Sequence, residues 1–157
     1  MVAIGGTFDR LHKGHKTLLR RAFELGQRVI IGLTTHALIK HKPDWRLINS
    51  YEKRAAELRQ WLDFESYEGR YMIEPLCDPY GPAITEEKLQ LIVVSEETYS
   101  RAKEINEIRR KRGLPLLDIA VLTMILADDE TSISSTRIRA GIIDRDGRLE
   151  YHDRATQ

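Results

Sequence analysis

Ile4-Gly5-Gly6-Thr7-Phe8-Asp9-Arg10-Leu11-His12-Lys13-Gly14-His15 is the stretch that decides the fold. It follows a short apolar run over residues 1–4, which reads as a buried strand, and leads into KTLLRRAFEL at residues 16–25. There the apolar residues Leu18, Leu19, Ala22, Phe23 and Leu25 keep helical spacing. Glycines at a strand-to-helix turn let a backbone approach a ligand closely. The start of the helix offers unpaired N–H groups and a partial positive charge. His12 and His15 are three apart, so on a helical turn they share a face. Amides, a helix dipole and two imidazoles together suit a polyphosphate.

Outward from this turn, the chain alternates strands and helices. Gly26 ends the first helix, and residues 28–34 (RVIIGLT) form a continuous apolar run, as in a parallel strand buried on both faces. Residues 35–50 are polar and read as a short helix followed by a mobile loop. Residues 51–62 predict a helix with Ala55, Leu58, Trp61 and Leu62 on one side, and residues 70–75 a short strand. Asp78-Pro79-Tyr80-Gly81-Pro82 is turn chemistry, with one helical turn expected at residues 85–88. Residues 89–95 (LQLIVVS) are a further strand, and Ser95 caps a helix over residues 96–112 that Gly113 stops. Residues 117–124 are the last strand, and residues 136–141 a short helix. The expected fold is α/β: a single three-layer α/β/α domain over residues 1–142, with a Rossmann-like five-stranded parallel sheet. The polar tail, residues 143–157, is assigned no structure. In such sheets ligands lie beyond the C-terminal strand ends.

Composition narrows the function. With 157 residues, 41% hydrophobic and 31% charged, the chain can bury one core. A formal net charge of +1 gives no global pull toward nucleic acid or anionic lipid, so neither is expected as a partner. Cys77 is the sole cysteine, which excludes an internal disulfide and a cysteine metal cluster. The first strand begins at Val2, leaving no room for a signal peptide, and no apolar run nears the ~20 residues needed to cross a bilayer. A cytoplasmic protein is expected. No long apolar surface patch is evident, which favours a monomer.

The histidine stretch lacks G-x-G-x-x-G and G-x-x-x-x-G-K-[ST], and no carboxylate separates its histidines as in H-E-x-x-H. No metal-ligating set is assigned. G-G-T-F-D-R-L-H-K-G-H instead resembles the HxGH motif of the nucleotidyltransferase superfamily, at His12, Lys13, Gly14 and His15. Ile133-Ser134-Ser135-Thr136-Arg137-Ile138-Arg139 resembles the ISSTxIR motif of its adenylyl-transferring members. Cytidylyl-transferring members carry a pattern near R-T-x-G-I-S-T-S, whose leading arginine is absent here. Taken alone, this second motif would be a plain Ser/Thr helix cap. Residues 93–114, from Val93-Val94-Ser95-Glu96-Glu97-Thr98-Tyr99 to Arg109 and beyond, are similar to the helix of the archaeal and eukaryotic phosphopantetheine adenylyltransferases. His12, where bacterial members usually have Thr or Ser, points to the archaeal kind. The Arg109-Arg110-Lys111-Arg112 run reads as charge offsetting a helix C-terminus.

The resemblance implies transfer of AMP from ATP to 4′-phosphopantetheine, giving dephospho-coenzyme A and pyrophosphate, with Mg²⁺ accompanying ATP. It implies catalytic roles for His15, His12, Thr7 and Lys42. It implies nucleotide contacts from Gly6, Phe8, His12, His15, Ser95, Glu96, Tyr99, Ser134, Ser135, Thr136, Arg137 and Arg139. Acceptor contacts are expected from Thr7, Tyr80 and a lysine of Lys40-His41-Lys42-Pro43, with Lys42 the first choice over Lys40. Two alternatives remain at this point. One is an adenylyltransferase of the same superfamily acting on nicotinamide mononucleotide or FMN, and the other a non-catalytic nucleotide sensor.

Overall fold

The computed structural model describes residues 1–150. Five strands, β1 (Val2–Gly6), β2 (Val29–Thr34), β3 (Tyr71–Leu76), β4 (Leu91–Ser95) and β5 (Asp118–Leu122), form one sheet in the order β3-β2-β1-β4-β5, with every pairing parallel. The helices are α1 (Lys13–Leu25), α2 (His36–Ile39), α3 (Tyr51–Phe64), α4 (Tyr99–Lys111) and α5 (Ser135–Arg139).

Side-chain alternation along the strands builds the three layers. Val2 and Ile4 of β1, with Val29, Ile31 and Leu33 of β2, pack on Leu19, Ala22 and Phe23 of α1 and Ala55, Leu58 and Leu62 of α3. Ala3, Ile30, Ile92 and Val94 point to the opposite face, against Ala102 and Ile105 of α4. The two faces explain why β2 is buried at every position.

Chain order reverses between β1 and β4, the point at which α/β sheets open a ligand crevice. Pairing makes the opening explicit. β1 matches β2 over five positions, but it matches β4 only at Val2↔Leu91 and Ala3↔Ile92. Beyond Ala3 the two central strands no longer pair, so the chain segments after Gly6 and after Ser95 flank a gap.

Several local expectations are corrected. No helical turn forms at residues 85–88; a 3-10 turn occupies Gly81–Ile84 instead. Its start is set by the Asp78 carboxylate, which accepts from the backbone N–H groups of Tyr80 and Gly81, both at 2.8 Å, and by Pro82 in the first turn. Glu96–Thr98 is a 3-10 turn ahead of α4, because Ser95 and Thr98 close a reciprocal cap there. β5 ends at Leu122 rather than at residue 124.

The segment after residue 142 is not structureless as far as it is described. Ile143 and Leu149 form an antiparallel bridge, and Ile143 is fully buried with Ala127 and Ile133. This small cluster, joined by Ile125 and Ile138, is the base from which α5 projects. The backbone N–H of Lys13 donates to Arg145 at 2.9 Å, so residues 143–150 also cap the start of α1. The remainder of the expected tail, residues 151–157, lies outside the described residues.

Candidate active site

The turn after β1 is shaped by backbone that side chains rarely adopt. Phe8 and Arg10 both have φ of +48°. Two non-glycine residues in the left-handed region store strain, which a surrounding structure must hold. Burial of the Phe8 ring supplies part of that hold, and the ring meets His15 edge-on at 5.2 Å between centroids. Phe8 thus braces His15. At Gly6 an added Cβ would come within 3.2 Å of the Phe8 ring, so a side chain there would press on this brace.

His12 and His15 cap α1 reciprocally. His15 N–H donates to His12 Nδ1 and His12 N–H to His15 Nδ1, each at 3.3 Å. Their rings stack with centroids 3.6 Å apart. Both Nδ1 atoms accept, so in the neutral rings the proton sits on Nε2, and each imidazole keeps one outward donor. Gly14 permits this arrangement: a Cβ there would lie 2.9 Å from His12 Cε1. Burial, reinforced by the charges of Arg145 and Lys16, lowers the His12 imidazole to about 4. Burial, then His12 and Lys42, hold His15 well below its ordinary value. At neutral pH the pair is a set of uncharged donors.

The residues expected on the acceptor side gather at Thr7, except Lys40 and Tyr80. Lys42 Nζ donates to Thr7 Oγ1 at 2.7 Å, and Thr34 Oγ1 donates to the same oxygen at 3.0 Å. Thr7, accepting twice, has its own hydroxyl proton to offer. Burial and the charges of Arg54 and Arg139 lower the Lys42 ammonium, while Asp9 opposes them. Lys40, the cap of α2, is exposed and makes no side-chain hydrogen bond among the described residues. The loop over residues 40–49 is not free, contrary to expectation. Besides Lys42, it is tied through Leu47 O to Arg10 at 3.1 Å and through Asn49 N to Asp9 Oδ1 at 3.0 Å.

The second motif meets the first. Ser134 caps α5 by accepting from Arg137 N, and Ser135 Oγ donates to the backbone oxygen of Asp9 at 2.6 Å. Arg139 donates to Asp9 Oδ2 at 2.8 Å and to Thr136 Oγ1 at 3.3 Å. Arg137 turns the other way, to the carbonyls of Thr131 and Ser132 and to Asp129, where it fastens the loop before α5. Ser95 ends β4 and Glu96 and Tyr99 follow it on the far side of the gap, both of the latter exposed. Tyr80 lies beneath Arg101 and donates to Glu104 at 3.3 Å, so it packs on α4 and does not join the Thr7 cluster.

Three residues central to this geometry were not among the expected site residues. Asp9 is 1% exposed and accepts from Arg10, Arg139 and Asn49. Arg54 is 2% exposed and donates to the carbonyls of Thr7, Thr34 and Asn49. Thr34 ends β2 beneath Thr7. A charged Arg54 adjoining Ala55 on the apolar side of α3 was the available signal. A groove of about 630 Å³ between α1 and α3, lined in part by Lys16, Trp61 and Phe64, includes none of the expected site residues.

A family model described as "Cytidylyltransferase-like" matches residues 3–141, which spans the sheet, both motifs and α5. The chain belongs to the cytidylyltransferase-like family. Within reach of this family it is 45% identical, over 95% of its own length and 88% of the relative, to a phosphopantetheine adenylyltransferase of Methanothermobacter thermautotrophicus. It is 46% identical to the one of Pyrococcus furiosus, over 91% of this chain and 89% of that one. Among solved structures, a protein of unknown function from Archaeoglobus fulgidus aligns with a TM-score of 0.70 at 31% identity, over 80% of this chain and all of that one. A bifunctional NMN adenylyltransferase/ADP ribose pyrophosphatase from Francisella tularensis aligns at 0.60 and 17% identity, over 88% of this chain and 41% of that one, a likeness of fold alone.

Proposed function

We propose that this chain transfers the adenylyl group of ATP to 4′-phosphopantetheine, giving dephospho-coenzyme A and pyrophosphate. The observation that carries the reading is the Lys42–Thr7 contact beside the stacked histidine pair, in a chain 45% identical to a phosphopantetheine adenylyltransferase over most of its length. One pair of groups suits an incoming phosphate and the other suits the phosphate being attacked.

In this reaction an oxygen of the acceptor phosphate forms a bond to the α-phosphorus, the bond from that phosphorus to the bridging oxygen breaks, and pyrophosphate leaves. The nucleophile is already ionised at neutral pH, so no side chain needs to remove a proton. Catalysis is positioning plus stabilisation of growing negative charge. Lys42 and the Thr7 hydroxyl orient the attacking phosphate. His15 Nε2–H, with His12 beside it, donates to the α-phosphate oxygens, and neutral donors avoid the cost of burying charge before ATP arrives. Ser134, Ser135 and Thr136 at the start of α5, with Arg139, hold the β- and γ-phosphates. Gly6 allows backbone approach, and Ser95, Glu96 and Tyr99 face the nucleoside.

No group of three or more His, Cys, Asp or Glu among the described residues is arranged to hold a metal ion. The nearest buried carboxylate, Asp9, is occupied by arginines. Mg²⁺ therefore fits as part of the MgATP substrate, held by phosphates and water, where it would neutralise triphosphate charge. Among the described residues, no helix is long and apolar enough to cross a membrane.

Substituting the two lysines tests the assignment. Lys42→Ala should raise KM for 4′-phosphopantetheine by about tenfold or more, the value of one lost charged contact, with the Kd of ATP unchanged. Lys40→Ala should leave both constants at their wild-type values. Weakened ATP binding in Lys42→Ala with unchanged acceptor KM would contradict the assignment.

A further inference from the structure

Asp9, in the histidine turn, touches both the lysine loop and α5. Its carboxylate accepts from Arg139 on the ATP-phosphate side at 2.8 Å and from Asn49 N–H on the lysine loop at 3.0 Å, while its own backbone oxygen receives the Ser135 hydroxyl at 2.6 Å. Arg10, held by Asp9 at 2.6 Å, reaches on to Leu47 O of the same lysine loop. The side chain is almost wholly buried and faces two arginines, so it lies between substrate sites instead of lining either one.

We infer that Asp9 is a positioning residue that couples the two substrate sites, locking the Lys42 loop and the α5 phosphate helix into one geometry. The inference rests on the reaction proposed above and adds to it. In-line attack needs the acceptor oxygen and the α-phosphorus held about 3–3.5 Å apart, and a misplacement near 1 Å can cost about a hundredfold in rate. The acceptor is gripped by residues 7 and 42, and the triphosphate by residues 134–139. These grips are far apart in sequence, and their relative placement runs through the Asp9 carboxylate. Filling the triphosphate site fixes Arg139 and Ser135, which fixes Asp9, which fixes Asn49 and Leu47.

Asp9→Asn keeps the shape and one acceptor oxygen but removes the charge that binds both arginines. It should lower kcat by about ten- to a hundredfold while the Kd of each substrate measured alone moves by less than about threefold. In the wild type, an ATP analogue with a methylene between the α- and β-phosphorus should tighten 4′-phosphopantetheine about fivefold or more in calorimetric titration. In Asp9→Asn that ratio should fall to about one. Arg10→Ala, a change at a partly exposed side chain, serves if Asp9→Asn does not fold, and it should reduce the same ratio. The same analogue should slow amide exchange over residues 40–49 in the wild type and not in the variants. A kcat within about twofold of wild type, or a coupling ratio the variants retain, would overturn the inference. Absence of wild-type turnover would instead overturn the functional reading, and amide exchange would then decide the coupling alone.

Discussion

At the scale of single residues, His15 has the most demanding environment. It is half-buried, stacked on His12, packed edge-on against Phe8 and kept neutral, with Nε2–H as its only free side-chain donor. A donor aimed at developing charge typically contributes about 10²–10³ in rate. His15→Ala should therefore lower kcat by that order while the Kd of ATP, measured calorimetrically, changes little. A near-normal kcat would remove His15 from the mechanism. His12 makes a separate prediction about pH. An unfolded histidine titrates near 6.5, while folded His12 titrates at about 4. Between those values the unfolded chain binds a proton that the folded chain refuses, so stability falls as pH drops from 6.5 toward 4 and is level above 6.5. Thermal melts from pH 4 to 8 should show Tm declining below about 6.5, and His12→Gln should lessen that decline, leaving the share due to His15, which is likewise held below its ordinary value. An NMR titration placing the His12 midpoint near 6.5 would contradict the buried cap.

At the scale of elements, Arg54 links α3 to the ends of β1 and β2 through the carbonyls of Thr7, Thr34 and Asn49. Arg54→Met leaves those buried acceptors unpaired, at about 1–3 kcal/mol for each group left unsatisfied. Urea denaturation should show a loss of about 3 kcal/mol or more, and a loss below 1 kcal/mol would mean water replaces the guanidinium. The five strands, α1, α3 and most of α4 were legible because apolar runs and helical spacing report burial directly. The 3-10 turns at Gly81–Ile84 and Glu96–Thr98 were not, since each depends on a side-chain cap whose geometry no periodicity encodes. The Thr7, Lys42, His12 and His15 grouping was legible through the motifs and through the rule that ligands sit beyond strand ends. Asp9 and Arg54 were missed because their roles come from partners 40 or more residues away in sequence, such as Asn49, Arg139 and Thr7. Arg137 was read as a phosphate ligand, although its charge holds the loop before α5.

At the scale of the molecule, the sheet order β3-β2-β1-β4-β5 leaves β1 and β4 paired only at their beginnings. That gap, flanked by the histidine turn on one side and Ser95 on the other, is the space in which an ATP and a phosphorylated acceptor would meet. In the proposed reaction the histidine turn alone would be an anion site, and α5 and the Lys42 loop, tied to it by Asp9, would give it two ends. Which acceptor occupies the Lys42 end is the central claim, and it is tested by turnover. The purified protein is incubated with MgATP and, separately, 4′-phosphopantetheine, nicotinamide mononucleotide, FMN and glycerol 3-phosphate, with pyrophosphate release followed continuously. Pyrophosphate release is expected only with 4′-phosphopantetheine, matched mole for mole by dephospho-coenzyme A. Release with another acceptor and none with 4′-phosphopantetheine, or no release with any, would contradict it.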